Sequence, residues 1–160
     1  MNIFTVSLFG HREIPNLMEL ESKLFPIIRE LLRTEEYVSF IIGRNGEFDE
    51  YAASIIKRAQ KETDRANSDL TLVLPYRVAD FEFYENYYDG IIIPENLSDA
   101  HYKAKITMKN RWMIENSNLV IVFSDHNSGG AYQAMKYGKR LKKRIINIAH
   151  HTASCDQKYE

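Results

Sequence analysis

Short β-prone apolar runs alternate with segments of helical periodicity along almost the whole chain. That alternation limits the possible folds more than any other feature. Ile3 to Phe9 reads as a strand ended by Gly10, and Tyr37 to Ile42 as a second closed by Gly43. Leu70 to Leu74, stopped by Pro75, Leu119 to Phe123, and Arg144 to Ile148 read the same way. Ile91 to Ile93 fits a further short strand before Pro94. Runs this apolar suit strands covered on both faces, as in a parallel sheet.

Between the strands the period changes. From Pro15 to about Thr34, Leu17, Leu20, Leu24, Ile27, Ile28 and Leu31 recur at helical spacing. Pro15 suits the first helical turn, whereas Pro26 predicts a kink or two consecutive helical pieces. Phe48 to about Asn67, Ala100 to about Asn116, and Gly129 to about Leu141 read as three more helices. Phe81 to Asp89 is crowded with aromatics and has no clear period. The expectation is one α/β domain over 1–149, a Rossmann-like three-layer fold with a mostly parallel central sheet, followed by a polar tail over 150–160.

Composition narrows the function. Lysine plus arginine number 21 and aspartate plus glutamate 22, so the formal net charge is −1. That balance argues against nucleic acid as a partner held by many phosphate contacts. The basic residues Lys136, Lys139, Arg140, Lys142, Lys143 and Arg144 read as a solvated helix end. Cys155 is the single cysteine, which points to a reducing, cytoplasmic location. Apolar runs are too short for a membrane span, and no signal peptide is read at the N-terminus. His101, His126, His150 and His151 show no metal-ligand spacing, so neither metal nor cofactor is expected. No nucleophile elbow is present and no catalytic residue is assigned.

In an open parallel sheet ligands bind beyond the carboxyl ends of the strands. Three polar, glycine-bearing loops fall there: Gly10-His11-Arg12-Glu13, Gly43-Arg44-Asn45-Gly46-Glu47, and Ser124 through Gly130. Ser128-Gly129-Gly130 follows a strand and opens a helix, where free amides favour an anion. The alternative is a plain strand-to-helix turn, and Gly43 to Gly46 is equally readable as a tight turn. His11 and Arg12 suit contact with a phosphate or a base, or an exposed turn. Arg111 beside Trp112 either reaches over the site or makes a surface salt bridge. Phe81 to Tyr88 reads as core packing, an oligomer interface or a surface that stacks on a ring.

Four segments together resemble a known family. Ser7-Leu8-Phe9-Gly10-His11-Arg12 resembles the F-x-G-H-R opening of YpsA-like proteins in the SLOG superfamily. Ile42-Gly43-Arg44-Asn45-Gly46-Glu47-Phe48-Asp49 is similar to that group's glycine-rich turn leading to F-D. Asn110-Arg111-Trp112-Met113-Ile114-Glu115-Asn116-Ser117 resembles its N-R-W-M-I helix, and Ser128-Gly129-Gly130-Ala131 its late G-G turn. The superfamily includes lonely-guy phosphoribohydrolases and DNA-processing protein A. The resemblance implies a Rossmann-like fold that binds a nucleotide or nucleotide-derived molecule. Phosphate would sit on Gly129 and Gly130, with Gly43 to Glu47 lining the same cleft. A homo-oligomer is also implied.

The hydrolase branch carries P-G-G-x-G-T-x-x-E, and its glutamate serves glycosidic cleavage. Placing its G-T on Gly130-Ala131 puts Ala134 at the glutamate's position. Glu47, Asp49 or Glu115 would replace it only if the fold brings one close. The expectation is binding without turnover, a sensing or sequestering role. The alternatives are an N-glycosidase or phosphoribohydrolase on nucleoside monophosphates, and a module for single-stranded DNA or protein.

Overall fold

A computed structural model describes residues 1–97 and 101–149. The expected polar tail, with His150, His151 and Cys155, lies outside the described residues, as does the expected helix start at Ala100. Six strands form one sheet: β1 (Ile3–Gly10), β2 (Tyr37–Ile42), β3 (Ser68–Val73), β4 (Gly90–Ile92), β5 (Leu119–Phe123) and β6 (Arg144–Asn147). Their order is β4-β3-β2-β1-β5-β6, and every neighbouring pair is parallel. The sheet is therefore wholly rather than mostly parallel.

Five helices connect the strands: α1 (Leu17–Thr34), α2 (Glu47–Glu62), α3 (Phe81–Tyr87), α4 (Tyr102–Glu115) and α5 (Gly129–Arg140). A short 3-10 turn spans Glu95–Leu97. Alternation along the strands sorts the core into two layers. Val6, Leu8, Phe40, Ile42, Leu70, Leu72 and Ile121 pack with Leu20, Leu24 and Ile28 of α1 and with Phe48, Ala52 and Ile56 of α2. Phe9, Ile41, Val73, Val120 and Val122 face the other way, onto Met113 and Ile114 of α4 and Ala131, Ala134 and Met135 of α5.

Local chemistry moves several boundaries. Helix α1 begins after Pro15, because the Asn16 side chain caps it by accepting from the Glu19 amide at 3.1 Å. It then runs through Pro26 as one helix rather than two pieces. Proline removes one intrahelical hydrogen bond, at a cost of roughly 3 kcal/mol. Buried Leu20 and Leu24 before it, and Ile28, Leu31 and Leu32 after it, hold both halves to the core. Helix α2 stops at Glu62, short of Asn67. Asn67 instead donates to the Leu32 and Glu35 carbonyls at the end of α1.

The strand order places the site. After β1 the chain steps outward through β2, β3 and β4, then returns to lay β5 and β6 on the other side of β1. The direction reverses between β1 and β5, and a crevice opens where their connections part. Gly10 and Phe123 lie level in the register there, and Leu8 lies level with Ile42. All three glycine-bearing loops leave from this edge.

Candidate functional site

The crevice is an open cleft with a volume of about 1170 Å³. Gly10, His11 and Arg12 from the first loop, Gly43, Asn45 and Glu47 from the second, and Gly129 and Gly130 from the third line it together. The expected convergence of these loops is thus present in the fold.

The first two loops are locked to each other. The Glu47 amide donates to the Arg12 carbonyl at 2.8 Å, and the Ile14 amide donates to Glu47 Oε1 at 2.8 Å. The Tyr51 hydroxyl donates to Glu47 Oε2 at 3.3 Å. Both carboxylate oxygens of Glu47 therefore hold structure. A Cβ on Gly46 would lie 2.5 Å from Arg12 Cα, so the close approach requires glycine.

The third loop is the anion end. Gly129 has φ +88°, a left-handed conformation that favours glycine. A Cβ on Gly130 would meet nothing within 4 Å, so space stands open over the start of α5. Ser128 is the N-cap residue, but its side chain makes no capping hydrogen bond. The first-turn amides are left for solvent or a ligand.

The wall between the first and third loops is a histidine pair. The His11 and His126 rings stack at 3.8 Å between centroids. Asp125 joins them: its amide donates to His11 Nε2 at 3.0 Å, and its Oδ1 lies 2.7 Å from His126 Nδ1. His11 Nε2 also lies 3.1 Å from Asp125 Oδ1, so it faces both the amide and the carboxylate of Asp125. Burial, then the neighbouring His126, lowers the His11 pKa below the usual value. The His126 hydrogen bond holds the Asp125 carboxyl below its ordinary range. Potential ligand atoms of His11, Asp125 and His126 lie within 4.8 Å of one another. Nearly parallel rings do not aim two lone pairs at one point. The trio is a hydrogen-bonded cluster in this geometry.

Two charged groups that the sequence reading did not single out as binding residues sit deepest. Asp49 is buried, and its Oδ2 accepts from the Asn45 amide at 2.7 Å. Burial outweighs that bond and pushes its pKa up to about 6. Lys109 of α4 is only 1% exposed, and burial brings its pKa down to about 8 against the attraction of Asp49. Its ammonium gives no hydrogen bond to any of the described residues. Asn110 beside it has a buried Oδ1 without a hydrogen-bond partner among the described residues. Asp49, Lys109 and Asn110 all line the cleft. The signal was available: Ile106, Lys109, Asn110 and Met113 share one helical face, so two polar residues interrupt an inward stripe.

Other expected residues lie elsewhere. Arg111 is outside the cleft lining, with its guanidinium 4.9 Å over the Tyr137 ring on the outer surface. Glu115 is there too, hydrogen-bonded by the Tyr137 hydroxyl. Ser128 is exposed and does not line the cleft. Arg44 turns away, and its Nε donates to the Tyr84 hydroxyl at 3.0 Å. It lines a second cavity of about 310 Å³ with Phe83, Tyr84, Tyr87 and Tyr88. The aromatic stretch is therefore helix α3, packed beside α2 rather than folded over the main cleft. Ala134 is buried on the inner face of α5, packed in the core layer with Met113 and Ile145, and brings no carboxylate to the cleft. Of the three carboxylates considered as replacements for the hydrolase glutamate, Glu47 and Asp49 line the cleft and Glu115 does not.

No family model and no curated protein sequence matches the chain. Its fold does match solved structures. One is DNA processing protein A from Helicobacter pylori, described for its single-stranded DNA binding mode, with TM-score 0.64 and 15% identity over 97% of this chain and 68% of that one. Another is TM1055, a structural-genomics target, with TM-score 0.58 and 15% identity over 89% of this chain and 72% of that one. The chain thus shares its fold with both. Among the described residues no helix is long and apolar enough to cross a membrane.

Proposed function

We propose that the protein binds a nucleotide or nucleotide-derived phosphorylated molecule in the cleft between β1 and β5. The observation that carries this reading is the uncapped start of α5, with open space over Gly130. Phosphate sits on the first-turn amides there, and Lys109 supplies a fixed positive charge deeper in. The YpsA-like motifs support the same reading. So does the absence of a spare carboxylate at Ala134, which favours binding over turnover.

Two other readings share the cleft. Asp49 supports a phosphoribohydrolase, since it is a cleft carboxylate with a raised pKa. The fold likeness to DNA processing protein A supports the backbone of single-stranded DNA as the phosphate source. That likeness weakens the argument from net charge, because a local cleft rather than the whole surface would make the contacts.

Calorimetry with a panel of nucleotides and a short oligonucleotide tests these together. Gly130→Asp is expected to fold normally and lose affinity. A carboxylate about 5 Å from a phosphate charge costs about 1–3 kcal/mol at intermediate dielectric, roughly a tenfold to hundredfold weakening. Unchanged affinity in the folded variant refutes the phosphate site. Chromatography of the same mixtures is expected to show no free base, and base release abolished by Asp49→Asn makes the hydrolase reading the correct one.

A further inference from the structure

Lys109 occupies a place where lysine is rarely left alone. It stands on the inward face of α4, 1% exposed, between Ile106 and Met113 and beside Asn110. Its ammonium gives no hydrogen bond to any of the described residues. A lysine needed only as a structural counter-ion would be held against its carboxylate. Asp49 acts on it through the field, while the Asp49 Oδ2 is occupied by the Asn45 amide.

The amine lies against the second loop at the cleft wall. Gly43 comes so close that a Cβ there would lie 2.7 Å from Lys109 Nζ, so glycine lets the nitrogen keep this position. Asn110 Oδ1, buried and without a hydrogen-bond partner among the described residues, adds an acceptor on the same wall.

We propose that Lys109 is a nucleophile that forms a reversible imine with the aldehyde carbon of an open-chain phosphorylated sugar held in the cleft. The inference rests on the phosphate reading above and names the class of ligand. A phosphorylated aldose is what remains of a nucleotide once its base is gone. The neutral amine adds to the carbonyl carbon, forming the C–N bond while the carbonyl π pair moves to oxygen. Asp49 takes one proton from the nitrogen and passes it to that oxygen, giving the carbinolamine. The second nitrogen proton reaches the hydroxyl by the same route, the C–O bond breaks as the nitrogen lone pair forms C=N, and water leaves with the imine in place; protonation of the imine from solvent gives the iminium. No oxidant or reductant is required. Asn110 Oδ1 accepts from the carbinolamine hydroxyl or the iminium N–H.

The lowered basicity of Lys109 supports this chemistry. With a pKa of about 8 in place of the ordinary 10.5, its neutral fraction near pH 7.5 is about two hundred times that of an exposed lysine.

The test is reductive trapping of the intact protein with cyanoborohydride and ribose 5-phosphate, read by intact mass and peptide mapping. Glycolaldehyde, which has no phosphate, is run in parallel. The expected result is one adduct on Lys109, formed faster than on surface lysines near pH 7.5 because more of its amine is neutral. Lys109→Arg keeps the charge and loses the adduct. Gly130→Asp slows labelling by ribose 5-phosphate and leaves labelling by glycolaldehyde unchanged. Adducts spread over surface lysines, or retained in Lys109→Arg, overturn the proposal. If nucleotides still bind in that case, this inference falls alone. If Lys109 is labelled equally by both aldehydes and Gly130→Asp has no effect, the amine is the proposed nucleophile and the phosphate reading is what fails.

Discussion

Asp49→Asn separates the energetics of the deep site from its ligand. Asparagine keeps the shape of the side chain and an oxygen to accept from the Asn45 amide. What it removes is a titration whose folded pKa is about 6, against an ordinary value of 3.8. A raised folded pKa means that the native state binds the proton more tightly than the unfolded chain. The corresponding stability is fully present below pH 3.8 and is lost as pH rises through about 6. The shift is worth about 3 kcal/mol in full, of which about 2.5 kcal/mol is lost between about pH 4 and about pH 7. Stability of the variant minus that of the wild type should therefore rise by about 2.5 kcal/mol over that interval. Lys109 acts in the same sense. Its folded pKa is lowered to about 8, and without Asp49 it falls further, which adds stability to the variant at the upper end of the range. The assay is urea unfolding of both proteins at a series of pH values, using the difference between the two curves so that other groups cancel. A flat or falling difference refutes the assignment of a buried, ionising carboxylate at this position.

Gly10→Ala places a Cβ 2.0 Å from Cγ of the fully buried Phe48. It should lower unfolding stability by about 1–3 kcal/mol through overpacking, whereas Gly130→Ala, with open space around it, should leave the urea midpoint unchanged. We also expect a homo-oligomer that uses α3, where Phe83 is 63% exposed. Light scattering should report a lower mass for Phe83→Ala than for the wild type. A wild-type monomer at high concentration removes the basis for that expectation.

Much of the fold was legible because strand and helix periods differ so plainly here. Val6 and Leu8 against Phe9, or Ile121 against Val120 and Val122, are the alternating contacts of a two-faced sheet. The three loops were legible because glycine follows strands at Gly10 and Gly43 and opens a helix at Gly129. Pro26 misled because its cost is local, whereas the contacts that outweigh it come from residues on both sides. Arg111 misled for a geometric reason. It lies about 200° around the helix from Lys109, at 3.6 residues per turn, and so faces outward. Lys109 went unnoticed because composition places lysine on the surface, and only the inward stripe of Ile106 and Met113 marks it as buried. The pairing of His11 with Asp125 joins loops 114 residues apart, and no spacing rule along the chain reveals it.

The interlock of the first two loops has an entropic consequence. Arg12 and Gly46 touch, and Glu47 bonds across the join through its backbone amide and both carboxylate oxygens. The segments after β1 and β2 therefore move as one body with the start of α2. A ligand that spans them meets a wall already fixed in a single shape. Its ordering is completed when the chain folds, so association loses little conformational freedom on that side. The opposite wall is joined to the same body through the Asp125 amide on His11 and the His11–His126 stack.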